Sequence, residues 1–133
     1  MIFGIGIDLL NVERIEVLIL KFGESKLVNK LLSIEEAIEY KTIHKDFANF
    51  FGKKFSAKEA FSKALGTGIG RGINFNDITV SSDILGKPII ILSDTAVEFI
   101  ENYYKESIDN IQINVSITDE KPFINTVVII SKD

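Results

Sequence analysis

Three phenylalanines, Phe47, Phe51 and Phe55, recur at every fourth position, and Ala48, Ala57, Ala60 and Ala64 are threaded through the same stretch. That spacing returns side chains to one side of a helix with about 3.6 residues per turn, and the alanines favour helix and close approach. It predicts a long helix from Asp46 to Leu65, ended by Gly66. In a chain of 133 residues this is the longest expected element, and the rest must be arranged around it.

The first residues read differently. Over 2–8, Phe3, Ile5 and Ile7 alternate with Gly4, Gly6 and Asp8, which predicts a strand with one apolar face and one nearly bare face. Two glycines beside a carboxylate leave room for something to lie against the backbone. Asn11 is placed to cap a helix over 12–22, with Ile15, Leu18, Ile19 and Phe22 inward and Gly23 as its stop. Ser33 and Glu36 have capping-box spacing ahead of a short helix over 34–40. Short strands are expected at 78–80 and 88–92, joined by a turn at Gly86-Lys87, then a helix from a Ser93 cap to Tyr104. A half-buried strand over 111–117 follows, then an interruption at Pro122 and a last strand over 124–130, with Val127 to Ile130 buried on both faces. Strands and helices mix without regular alternation, so the expected class is α+β: a mixed or antiparallel sheet packed on a long central helix, as one domain over 1–133.

Composition removes whole classes of chemistry. There is no cysteine, hence no disulfide framework, thiolate metal site or Cys nucleophile, and a reducing cytoplasm is the expected location. A single His, His44, disfavours a zinc site or a Ser-His-Asp triad, so any metal must be held by oxygens, as Mg²⁺ is. A net charge of −4 disfavours nucleic acid as partner. No apolar run is long enough to span a membrane, and the first residues lack a signal-peptide pattern.

Against this background three features stand out. Continuing the Phe51, Phe55 stripe by fours reaches Glu59 and Lys63, so an oily face becomes charged. On spacing alone, an ordinary exposed pair at i, i+4 accounts for these two residues. Asp8, at the end of its strand, is equally explained as a cap for the following turn. Gly66-Thr67-Gly68-Ile69-Gly70-Arg71-Gly72 frees backbone N–H groups to line an anion. It follows a helix C-terminus, where the dipole disfavours phosphate, so Lys63, Arg71 or a divalent metal must supply the positive charge. Taken together, a strand-end carboxylate, a helix carboxylate and a lysine one turn beyond compose a site for a hard cation and a polyphosphate.

Gly4-Ile5-Gly6-Ile7-Asp8 with Arg14, and Phe55-Ser56-Ala57-Lys58-Glu59-Ala60-Phe61-Ser62-Lys63-Ala64-Leu65-Gly66-Thr67-Gly68, resemble the bacterial holo-[acyl-carrier-protein] synthase family, the small type of 4′-phosphopantetheinyl transferase. The resemblance continues through Phe75-Asn76-Asp77-Ile78, Gly86-Lys87-Pro88 and Val115-Ser116-Ile117-Thr118, and covers essentially the whole chain. It implies transfer of the phosphopantetheine arm of coenzyme A to a serine of apo acyl carrier protein, releasing adenosine 3′,5′-bisphosphate, in fatty-acid synthesis. It implies Asp8 and Glu59 as Mg²⁺ ligands and Lys63 beside the coenzyme A phosphates, these three forming the catalytic set. Lys54, Gly66, Gly68, Pro88, Ser116 and Thr118 are implied as further coenzyme A contacts, and Arg14, with Lys21 on the same side of its helix, as the dock for the acidic carrier protein. A homotrimer with sites at subunit boundaries is implied as well.

Two positions depart from the family pattern. Asp119 stands where the family usually has His; a histidine can meet a phosphate and an aspartate repels it, so no such role is carried onto Asp119. Lys54 stands where many members carry Arg, keeping the charge without the bidentate fork. The missing histidine leaves open a binding module without turnover, and the same carboxylates suit a metal-dependent phosphohydrolase.

Overall fold

The two ends of the chain complete each other's backbone hydrogen bonds. In the computed structural model, which describes residues 1–133, β1 (Ile2–Asn11) pairs antiparallel with β5 (Phe123–Lys132), and β5 pairs with β4 (Ile111–Glu120). The result is a three-stranded sheet in the order β1-β5-β4. Between these strands the chain makes α1 (Glu13–Phe22), α2 (Glu24–Leu31), α3 (Ile34–Tyr40), the long α4 (Phe47–Leu65), a hairpin of β2 (Ile78–Ser82) and β3 (Pro88–Leu92), and α5 (Asp94–Tyr104). The architecture is the α+β arrangement expected.

The bare face of β1 is where α4 lies. A Cβ added to Gly4 would stand 1.9 Å from the Ala64 carbonyl oxygen, and one on Gly6 would stand 1.8 Å from that of Ala60. Only glycine on the strand admits this approach. The other side of α4 faces α2, α3 and the β2–β3 hairpin. One apolar core gathers Ala57, Phe61, Ile73, Ile78, Ile100, Val128 and Ile130; a second gathers Leu10, Ile15, Leu27, Leu31, Phe51 and Ile124.

Local signals hold where the chemistry is local. Ser33 and Glu36 form both bonds of the capping box, Ser93 caps α5 by accepting from the Ala96 N–H, and Gly66 ends α4 in the left-handed region at φ 87°. Several boundaries differ. β1 continues to Asn11, so Asn11 is a strand residue; its side chain still accepts from the Glu13 N–H at 3.0 Å, at the start of α1. Phe22 is 44% exposed instead of inward, because the chain turns at Gly23 (φ 83°) and begins α2, a helix the sequence reading did not contain. β4 and β5 run longer than expected, and Pro122 sits in the turn between them. In β5, Val128 and Ile130 are buried while Val127 and Ile129 face outward and are half-buried, because only one face of the sheet is covered. On that open face Ile5, Ile7 and Leu9 are 60%, 59% and 64% exposed. No helix is long and apolar enough to cross a membrane.

Candidate functional site

Asp8 follows Gly6 on the same face of β1, so it points toward α4 beyond the glycine contact. Three more strand residues follow it, which removes the reading of Asp8 as a turn cap. Lys63, on the turn of α4 that crosses β1, donates from Nζ to Asp8 Oδ1 at 3.2 Å and to the Ile7 carbonyl at 3.0 Å. Its ion pair is therefore made across the strand–helix junction and not with Glu59 along the helix. Asp8 Oδ2 is buried and has no hydrogen-bond partner.

Glu59 completes the cluster. Its carboxyl is held above the usual range, first by burial and then by the Asp8 carboxylate; Lys63 and Arg14 pull it the other way. Glu59 thus feels the charges of Asp8, Lys63 and Arg14, although Asp8 and Glu59 lie fifty-one positions apart. The Arg14 guanidinium, near the start of α1, sits 6.0 Å over the Phe55 ring. Two carboxylates that repel each other, one with an unsatisfied buried oxygen, fit a hard divalent cation. No group of three or more acidic, His or Cys side chains forms a metal cage, so such an ion must complete its shell with water and ligand oxygens.

One turn past Lys63 the glycine loop begins. Gly66, Gly68, Gly70 and Gly72 all have positive φ, and a Cβ at Gly68 or Gly70 would meet nothing, so the loop's outer backbone is open. It is fixed from below: Tyr103 Oη donates to the Leu65 carbonyl at 2.9 Å, and Gly72 lies against the Phe99 ring.

The remaining candidates lie apart from this cluster. Lys54 is largely buried, donates from Nζ to the Val80 carbonyl at 2.6 Å, pairs with Glu39 at 2.7 Å and lies 5.2 Å over the Phe50 ring. With Pro88 it lines a cavity of about 330 Å³ that also takes in Lys45, Phe50, Lys53 and Ser82. Asp119 is turned to that side: its carboxylate pairs with Lys53 at 3.5 Å. The sequence reading missed Phe50 and Lys53; their signal was an aromatic and a lysine at i, i+3 on the helix bearing Glu59. Ser116 and Thr118 lie on the open face of the sheet, in register with Val127 and Asn125, and thus opposite Asp8. Within one chain they do not join the Asp8 cluster. Lys21 is exposed on α1, over the Phe22 ring. A hollow of about 510 Å³ lies beside α1 among Val12, Ile19, Phe47 and Pro122; its rim carries Glu13, Glu16, Glu24 and Asp46 and none of the candidates.

Comparison with known proteins is consistent along the whole chain. Residues 4–116 match the family model of the 4′-phosphopantetheinyl transferase superfamily. A holo-[acyl-carrier-protein] synthase of Vibrio cholerae serotype O1 is 39% identical over 132 residues, 99% of each chain. Among solved structures, the holo-[acyl-carrier-protein] synthase of Neisseria meningitidis superposes with a TM-score of 0.88 at 34% identity, covering 99% of this chain and 100% of that one. The Helicobacter pylori enzyme of the same name, solved in complex with coenzyme A, superposes with a TM-score of 0.76 at 34% identity, covering 96% and 99%.

Proposed function

The chain belongs to the 4′-phosphopantetheinyl transferase superfamily, and on that premise we propose that it is a holo-[acyl-carrier-protein] synthase. It transfers the phosphopantetheine arm of coenzyme A to a serine of apo acyl carrier protein. The observation that carries this reading is the meeting of Asp8, Glu59 and Lys63 beside an open glycine loop.

In the reaction the serine oxygen forms a bond to the phosphorus bearing the pantetheine arm. The bond from that phosphorus to the oxygen of the 5′-phosphate breaks, and adenosine 3′,5′-bisphosphate leaves with the electron pair. Charge develops on the leaving phosphate, so positioning and neutralisation do most of the work. Two of the three Nζ hydrogens of Lys63 are held by Asp8 and Ile7, which aims the ammonium and leaves the third for a phosphate oxygen. A donor placed in this way is worth about 3–4 kcal/mol of transition-state stabilisation. Asp8 and Glu59 are the residues that would hold Mg²⁺, which when bound supplies further neutralisation of the diphosphate. Glu59 binds a proton more readily than an ordinary glutamate. It is the side chain assigned to take the serine proton, having two oxygens to divide between cation and proton.

Gly66 and Gly68 offer backbone to the cofactor, and the cavity of Lys54 and Pro88 receives another part of it. Arg14 and Lys21 share one side of α1, with Val17 exposed between them, a surface suited to an acidic carrier protein. Ser116 and Thr118 reach a cofactor only if the open sheet face of one chain borders the Asp8 cluster of another. That division, with the apolar stripe Ile5, Ile7 and Leu9, supports a homotrimer with sites at subunit boundaries. The reading extends to a cytoplasmic enzyme of fatty-acid synthesis, formed as one domain over residues 1–133.

The test is direct. Mixed with coenzyme A, Mg²⁺ and this protein, apo acyl carrier protein should gain the mass of one phosphopantetheine. Asp8→Ala or Glu59→Ala should abolish the gain while the fold survives; full activity in either variant removes the metal assignment.

A further inference from the structure

α4 is gripped from two sides of unequal character. Toward the sheet, glycine backbone lies directly on Ala60 and Ala64, and the polar side-chain ties are few: Ser56 Oγ to Thr126 Oγ1 at 3.0 Å, and Lys63 Nζ to Asp8 and the Ile7 carbonyl within the site itself. The glycine contact by itself sets the distance of approach but does little to resist a roll of the helix about its axis. On the other side Lys58 runs into the protein with its side chain fully buried. Its Nζ donates to Glu36 Oε1 at 2.5 Å, to the Leu31 carbonyl at 2.6 Å and to the Phe75 carbonyl at 3.0 Å, so all three N–H bonds are used. Glu36 is equally committed. Its Oε1 also accepts from the Ser33 N–H at 3.0 Å, and its Oε2 from the Val80 N–H at 2.8 Å. The end of α2, the cap of α3, the turn at Phe75, β2 and α4 thus converge on one buried ion pair.

A buried ion pair is a poor source of net stability compared with apolar packing, but breaking it is costly and its bonds are directional. An apolar side chain at position 58 would tolerate small rotations that three aimed hydrogen bonds do not. Lys58 immediately precedes Glu59, so whatever fixes one about the helix axis fixes the other. A roll of about 10° moves a side-chain tip at the helix's outer radius, roughly 5–6 Å, by about 1 Å. A misplacement of that size can cost about 10²-fold in rate.

We propose that Lys58 and Glu36 are the positioning pair that sets the rotation of α4 and thereby holds Glu59 against Asp8. The inference rests on the reading of Asp8 and Glu59 as a metal-holding pair. It makes Lys58 a positioning residue that touches neither cofactor nor carrier protein.

The experiment titrates Mn²⁺ into the full chain by calorimetry and measures kcat, KM for coenzyme A and Tm on the same samples. Asp8→Ala identifies the binding signal that belongs to the site. The test variants are Lys58→Met and Glu36→Gln. The control is Ile100→Ala, which opens a cavity in the core beneath α5 and lowers Tm without touching the pair. Both test variants should weaken Asp8-dependent Mn²⁺ binding by about fivefold or more and lower kcat about tenfold or more, with KM for coenzyme A within about twofold. Ile100→Ala should leave Mn²⁺ affinity and kcat near wild type. Should Lys58→Met fail to fold, Glu36→Gln decides alone. Folded test variants with wild-type Mn²⁺ affinity and kcat overturn the proposal, as do equal losses in Ile100→Ala at a similar Tm. A wild-type Mn²⁺ signal that survives Asp8→Ala removes the metal reading instead, and the split between kcat and KM then decides whether the pair positions Glu59.

Discussion

Gly6 and Ala60 meet backbone to backbone: a Cβ on Gly6 would fall 1.8 Å from the Ala60 carbonyl oxygen. This contact sets the distance between β1 and α4, and through it the reach from Asp8 to Lys63. Gly6→Ala cannot be absorbed by a side-chain shift, because the atom it meets belongs to a helix backbone. Strand and helix must separate. The expected loss is roughly 3 kcal/mol or more, at the upper end for overpacked sites, read by urea denaturation. Folded Gly6→Ala protein should also have lost most of its transferase activity.

That contact shows what a sequence can and cannot carry. The two glycines announced that something lies on β1, and the spacing of Phe47, Phe51 and Phe55 announced a long helix; nothing local said that one lies on the other. The meeting of Asp8 with Glu59 spans fifty-one positions: the residue types suggested a shared cation site, but no local spacing joined them, and the family resemblance supplied the pairing. Ser33 and Glu36 were legible as a cap because their bonds are local, but the second oxygen of Glu36, bound to Val80, and its partner Lys58 were not. A lysine reads as a solvated residue until tertiary structure supplies its acceptors. α2 escaped because Gly23 reads as an end and the chain uses it as a corner. The exposure of Ile5, Ile7 and Leu9 was illegible for another reason: alternation identifies two faces and not which of them is covered.

Glu59→Gln should separate stability from function. The folded chain holds the Glu59 proton more tightly than the ordinary value of 4.5, through burial first and Asp8 second. A group raised on folding contributes its full stability below the unfolded value and loses it as pH rises through the folded value. Once pH has risen through the folded value, the ionised Glu59 is a net cost, and Glu59→Gln should raise Tm there. The difference should shrink as pH falls toward 4.5. Activity should drop by about 10²-fold or more at every pH, as expected for a lost electrostatic contact to the transition state. Calorimetric Tm from about pH 4 to 8, with transferase assays, checks both signs.

Asp119→Asn should improve binding of the phosphorylated cofactor. The Lys53–Asp119 pair is 3.5 Å apart with both side chains about 40% exposed, so its removal should change stability by less than about 1 kcal/mol. It also occupies a lysine on the wall of the cavity shared by Lys45 and Lys54. Freed of its carboxylate, Lys53 can face an anion. KM for coenzyme A should fall by about two- to fivefold, the equivalent of up to about 1 kcal/mol. The gain should fade in high salt, where exposed charges are screened. An unchanged KM at low salt would mean that no phosphate enters this cavity.

Ile7→Lys tests whether the site is shared between chains. Ile7 neighbours Asp8 in sequence but lies on the opposite face of β1, 59% exposed, beside Ile5, Leu9 and the half-buried Val127. It fills no core within its own chain, so Ile7→Lys should leave the far-UV circular dichroism and the fold intact. In an assembly whose copies meet through this face, the substitution buries like charges against one another and should drive dissociation. Wild-type protein should sediment as a trimer and Ile7→Lys as a monomer. Because Ser116 and Thr118 stand on the same face, away from Asp8, the monomer should also lose coenzyme A binding although every residue of its Asp8 cluster is untouched. An active monomer would show that one chain holds the whole site, and Ser116 and Thr118 would then have no part in it.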